Sequence, residues 1–122
     1  MNNKKVKIWG REFKLPIEYD VFPGETVPAG MEKAAYELLT KHDFDKDLDK
    51  LKKYCHKSNA KETDGRLDNI FRFVIPKSCF VRNDKYFPVG LMCDYKFDPE
   101  HGIVLVYINN KLIKIGPQDI IL

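Results

Sequence analysis

The sequence predicts an α+β fold: a mostly antiparallel sheet of five to six strands with two helices packed on one face, in the order ββααββββ. Three observations predict it. Apolar residues recur with helical spacing only between positions 27 and 55. On either side of that block they alternate with period two, the pattern of half-buried strands. Asn109-Asn110 separates two apolar runs and suits a two-residue hairpin turn with positive φ. Strands grouped before and after a helical block put the helices to one side of an antiparallel sheet.

Lys5-Val6-Lys7-Ile8-Trp9 alternates and reads as the first strand, with a turn at Gly10-Arg11. Phe13, Leu15, Ile17 and Tyr19 form one face of the second, and Pro16, which cannot donate to a ladder, is expected to turn its amide side to an edge. Phe22-Pro23-Gly24-Glu25 breaks the pattern. Thr26 is expected as the N-cap of a helix over 27–41, with Pro28 in its first turn, where the missing N–H is harmless. After His42-Asp43 a second helix follows, with Phe44, Leu48, Leu51 and Tyr54/Cys55 on its apolar stripe. Its acids come first and its lysines last, which suits the helix dipole. The short connection favours antiparallel helices. Residues 57–66 are polar and read as a flexible loop.

Residues 69–75 return to strand composition. Pro76-Lys77-Ser78 interrupts, and Cys79-Phe80-Val81-Arg82 continues after a bulge or bend. Val89, Leu91, Cys93, Tyr95 and Phe97 make one face of the next strand. In the last hairpin a two-residue turn pairs Ile108 with Lys111, Val106 with Ile113 and Val104 with Ile115, giving one nearly all-apolar face. The apolar end of the chain, Ile120-Ile121-Leu122, is expected to dock on the core, leaving Gln118 and Asp119 to bond the backbone of a neighbouring turn.

At 122 residues the chain is expected to be one domain, 1–122, large enough to bury a core. No apolar run approaches the roughly 18 residues that cross a membrane. Its start lacks an apolar signal-peptide region, so a cytoplasmic location is expected. The net charge of +3 is modest: residues 1–61 hold 13 Lys+Arg against 10 Asp+Glu, and residues 62–122 hold 8 against 8. No cation-rich face is evident, which argues against nucleic acid as the partner. Three cysteines and no C-x-x-C argue against a disulfide framework. Cys79 and Cys93 fall in apolar runs and read as small core residues.

Candidate chemistry centres on Asp98-Pro99-Glu100-His101-Gly102. A histidine beside carboxylates can serve acid–base chemistry or bind a metal. Turn chemistry alone accounts for Asp98, Pro99 and Gly102, but not for Glu100-His101. Asp94 is on the same strand face as Asp98 but roughly 13 Å away at ~3.3 Å per residue, too far to form a pair. Asp43 to Asp49 mimics the start of a calcium loop, but Leu48 stands where the loop needs glycine and Tyr54 where it needs glutamate. Cys55-His56 are neighbours on a helix and do not face each other. No metal or cofactor is expected.

The segment Met92 to Gly102, the hairpin after it and the terminal Gly116-Pro117-Gln118-Asp119 resemble a family of small uncharacterised bacterial domains marked by a D-x-E-H-G turn and a terminal G-x-Q-D. Some relatives look like immunity or accessory proteins of bacterial toxin systems. The resemblance implies that Asp98, Glu100, His101, Gln118 and Asp119 belong to one shared feature. It carries no activity to transfer. The expected function is a non-enzymatic binding or interaction protein, immunity-like, with a protein partner and with a homodimer left open. The alternative is a hydrolase or metal-dependent enzyme centred on Asp98, Glu100 and His101.

Overall fold

The computed structural model describes residues 3–59, 61 and 69–122. Its elements are β1 (Asn3–Ile8), β2 (Arg11–Tyr19), α1 (Ala29–Lys41), α2 (Leu48–Ser58), β3 (Val74–Val81), β4 (Val89–Tyr95), β5 (Ile103–Ile108) and β6 (Lys111–Gly116). Short 3-10 turns lie at Phe44–Asp47, Ile70–Arg72 and Gln118–Ile120. The six strands form one sheet in the order β1-β2-β3-β4-β5-β6. Every neighbouring pair is antiparallel except β2 and β3. A parallel pair needs a long crossover, and the segment between these two strands carries both helices. The α+β class and the chain order ββααββββ are those the sequence predicts.

The helices cover one face of the sheet. Met31, Ala35, Leu38 and Leu39 of α1 and Leu51 and Cys55 of α2 are buried. They belong to one core cluster with Leu91, Cys93, Tyr95, Ile103, Leu105 and Tyr107 of β4 and β5. The opposite face of the same strands is covered by the end of the chain. Ile121 is buried there with Met92, Val104 and Val106, flanked by Phe80 and Ile120. Both faces of β5 are therefore dry, which is why its sequence is an unbroken apolar run. The docked tail also explains Gly90: a Cβ there would lie 2.8 Å from both Ile121 Cδ1 and Val104 Cγ2.

Several boundaries differ from expectation. The first hairpin turns at Trp9-Gly10, one residue early, with φ of 52° and 86°. Trp9 tolerates the left-handed conformation while packed 5.9 Å from the ring of Phe71. Pro28, not Thr26, stands at the N-cap of α1, with no side-chain cap, and Val27 precedes the helix. The second helix opens as a 3-10 turn capped by Asp43, whose Oδ1 accepts from Asp45 N at 3.1 Å. Of the expected 57–66 loop, Lys57 and Ser58 extend α2 and Asn59 caps it. Residues 60 and 62–66 lie outside the described residues. Residues 69–73 hold a 3-10 turn in place of a strand start.

The irregularity expected at 76–78 is present: β3 runs through Pro76 and Ser78 as one strand with a register shift between the two. The parallel ladder with β2 begins only at Cys79, so Pro76 lies beyond it and no donor is missed on that side. The last hairpin also departs from the simple register. Ile108 pairs with Lys111 and Tyr107 with Leu112, but Val106 then pairs with Lys114 and Leu105 with Ile115. Ile113 is the extra residue of a bulge and is 55% exposed. The expected Val106–Ile113 and Val104–Ile115 pairs do not form.

Candidate functional site

The turn between β4 and β5 is built from its backbone upward. Gly102 N donates to Asp98 O at 2.8 Å and Asp98 N to Tyr95 O at 3.2 Å. Asp98 Oδ1 accepts from His101 N at 3.3 Å and lies 3.0 Å from His101 Nδ1. Gly102 takes φ of 62°, and a Cβ there would lie 2.5 Å from Gln118 Nε2 and 2.7 Å from Cys93 O. The tail returns to this turn. Gln118 N donates to His101 O at 3.0 Å, and Gln118 Nε2 donates to Cys93 O at 2.9 Å. Asp98, His101 and Gln118 are thus in direct contact with one feature, and Glu100 and Asp119 act on it as charges. The hydrogen bond to Asp98 raises the His101 pKa above histidine's ordinary value, helped by the charges of Asp98, Glu100 and Asp119. His101 and Asp98 side chains are 53% and 42% exposed. This pair is oriented and able to exchange protons with water, on an open surface.

A second histidine–aspartate pair is buried, and the sequence reading missed it. His42 Nε2 lies 2.7 Å from Asp47 Oδ2, and the Tyr107 hydroxyl donates to the same oxygen at 2.6 Å. The imidazole and the tyrosine hydroxyl thus converge on one carboxylate oxygen. The His42 ring meets Phe44 and Tyr107 edge-on, each at 4.9 Å. Burial first, then the bond to Asp47, pushes the Tyr107 hydroxyl far above its ordinary pKa, so it stays a donor. Asp47 is 5% exposed, the buried charged residue among those described. Together the three residues tie the C-terminus of α1, the 3-10 turn and β5. A signal was present: Asp47 falls on the apolar stripe of Phe44, Leu48 and Leu51, three residues after Phe44 and four before Leu51. A carboxylate on a buried stripe calls for a partner.

The cysteines carry no comparable chemistry. All three are buried. Burial raises the thiol pKa of Cys55 to about 11 and of Cys79 to about 12, and raises that of Cys93 further. They are held as neutral thiols, and the thiolate is the reactive form. His56, next to Cys55, is on the exposed side of α2.

The groove between α2 and β6 is of another kind. Lys50, Lys53, Tyr54 and Lys57 on one side and Leu112 to Ile115 on the other line a hollow of about 320 Å³. Leu112, Ile115 and Tyr54 are half-buried and pack on the core. Ile113, thrown out by the bulge, stands in the hollow. Among the described residues no carboxylate lines it, and none of its four lysines forms an ion pair. The spacing 50, 53, 57 places three lysines on one side of α2, beside its buried face.

No helix among the described residues is long and apolar enough to cross a membrane. No curated protein and no solved structure matches the chain significantly. A family model described as a domain of unknown function, DUF6985, matches residues 3–122. That span takes in every strand, both helices and the docked tail, and the chain belongs to the DUF6985 family.

Proposed function

We propose that the protein is a non-enzymatic binding module that engages a protein partner through the groove between α2 and β6. The observation that carries this reading is Ile113. A large aliphatic side chain is exposed on the last strand of the sheet, over a half-buried apolar floor. A fold that had only to protect this edge would put a charge at the bulge. An immunity-like role, in which the module neutralises its partner by covering it, is the finer form of the same reading.

The test is capture from cells of the native host, comparing the wild-type chain with Ile113→Lys. The exposed site tolerates lysine without loss of fold, which circular dichroism checks. A protein held by the wild type and released by the variant is the expected result. Equal retention by both would remove the groove from the function.

The Asp98–His101 contact of 3.0 Å favours a second reading, a hydrolase centred on Asp98, Glu100 and His101; among the described residues no three histidine, cysteine or carboxylate groups are placed to hold a metal ion, so the metal-dependent form needs a ligand from outside them. It requires that a ligand bind this open turn. Thermal melting with and without divalent metal tests it, since a metal bound only to the native chain raises the melting temperature by mass action. A rise that His101→Ala abolishes would favour this reading over the first.

A further inference from the structure

Resting on the binding-module reading, we infer that the occupant of the groove is an acidic, extended segment of a partner protein, which adds as a strand to the open edge of β6 beneath the lysines of α2. Among the described residues β6 is the last strand of the sheet, and its outer backbone groups face no neighbour in the ladder. Such an edge is a template for main-chain pairing, with side chains of the incoming strand read on alternate positions. The dimensions agree. Leu112 to Ile115 offers about 10 Å of edge at ~3.3 Å per residue. Lys50 to Lys57 spans about 10 Å of helix at ~1.5 Å per residue, and Lys53 and Lys57 are about 6 Å apart along the axis. Same-side residues of an extended strand recur at about 6.6 Å, close to the rise from Lys53 to Lys57, while Lys50 and Lys53 are about 4.5 Å apart along the axis.

Charge selects the occupant. Four lysines surround the groove and none is neutralised within the described chain. An acidic strand supplies the missing carboxylates. A second copy of this chain would bring Lys111 and Lys114 of one β6 against those of the other, so the same charges that attract an acidic segment oppose self-pairing. The floor distinguishes protein from nucleic acid. Among the described residues it is aliphatic, with Tyr54 the ring available for stacking and no arginine in the lining, whereas single-stranded nucleic acid is held by aromatic platforms along a basic track.

The test is fluorescence anisotropy with a labelled peptide of alternating glutamate and valine, about eight residues long, within the ordinary length of a strand. Saturable binding that weakens as salt rises is expected. Binding should fall by about tenfold or more in the triple variant Lys50→Glu, Lys53→Glu, Lys57→Glu, and by a smaller factor in Ile113→Lys, where the added positive charge partly offsets the lost apolar contact. These side chains are exposed, and a Lys53→Gln, Lys57→Gln variant repeats the comparison with less change of charge. A peptide of alternating lysine and valine that binds as well as the acidic one would overturn the inference. So would acidic-peptide binding undiminished in the triple variant, tighter binding of a single-stranded oligonucleotide, or concentration-dependent self-association lost in Ile113→Lys. A partner captured by the wild type, released by Ile113→Lys and kept by the triple lysine variant would leave the module reading standing and remove the acidic occupant. No difference between wild type and Ile113→Lys in capture would remove the module reading itself.

Discussion

Among the described residues two histidine–aspartate pairs have nearly equal geometry and opposite setting. His42 and Asp47 are 2.7 Å apart with side chains 10% and 7% exposed. His101 and Asp98 are 3.0 Å apart and about half exposed. The first shares its acceptor oxygen with a buried tyrosine, so each member depends on the others for its hydrogen bonds. The second can exchange either member for water at little cost. The same two side chains therefore act as a structural lock in one place and as a soluble, titratable surface group in the other. Environment decides, and distance does not.

The largest expected effect breaks the lock. Asp47→Ala leaves the His42 ring and the Tyr107 hydroxyl without their acceptor in a dry site. The loss should be about 3 kcal/mol, the range seen when one member of a buried pair is removed. Urea denaturation of Asp47→Ala beside Asp98→Ala checks the comparison directly. The surface variant should lose only a small fraction of that amount, and equal losses would show that the two pairs do not differ as described.

Next comes Gly102→Val. It removes no part of the Asp98–His101 pair but forces a β-branched residue into φ of 62°, with its Cβ against Cys93 O and Gln118. A loss of about 2 kcal/mol in melting or urea experiments is expected. The exposed turn would then owe its importance to its backbone and to the returning tail, not to its ionisable side chains. Unchanged stability would mean that the turn relaxes freely and that Gln118 does not fix it.

Tyr107→Phe is milder than Asp47→Ala because His42 still reaches Asp47 Oδ2. One donor is lost, and about 1.5 kcal/mol should go with it. A double-mutant cycle with Asp47→Ala should show strong coupling, since both substitutions act on one oxygen. Additive losses would mean that the tyrosine hydroxyl is satisfied elsewhere.

The fold was legible where one rule acts alone. The alternating faces of β2 and β4, the helical stripe of α1 and the Asn109-Asn110 turn each follow from a single periodicity. Those asparagines adopt the positive φ of 51° and 63° that the turn requires. The reading failed where two requirements compete at one residue. Trp9 takes a turn conformation that its side chain disfavours because its ring packs on Phe71. Asp47 is placed on an apolar stripe because Tyr107, 60 residues later, supplies its partner. Alternation puts Ile113 on the apolar face of the last hairpin, but it has no symbol for the bulge that exposes this residue. In the turn at Asp98, the grouping of His101 with Gln118 was visible as a pattern, while its exposure followed only from the path of the tail.

The smallest effect is also the sharpest test of the surface pair. Asp98 raises the His101 pKa chiefly by accepting its hydrogen bond, with charge as the second cause. An NMR titration should place the His101 midpoint above histidine's ordinary value, and Asp98→Asn should bring it back down. The sign for stability follows. A raised folded-state value means that protonation favours the fold. The contribution is therefore complete below the unfolded histidine value and disappears as pH rises through the raised one. Asp98→Asn should flatten that dependence without unfolding the chain. A His101 midpoint unmoved by Asp98→Asn would assign the shift to Glu100 and Asp119 instead. The turn would then be a cluster of charges held at a distance, and the contrast with the directly bonded pair at His42 would rest on bonding as well as on burial.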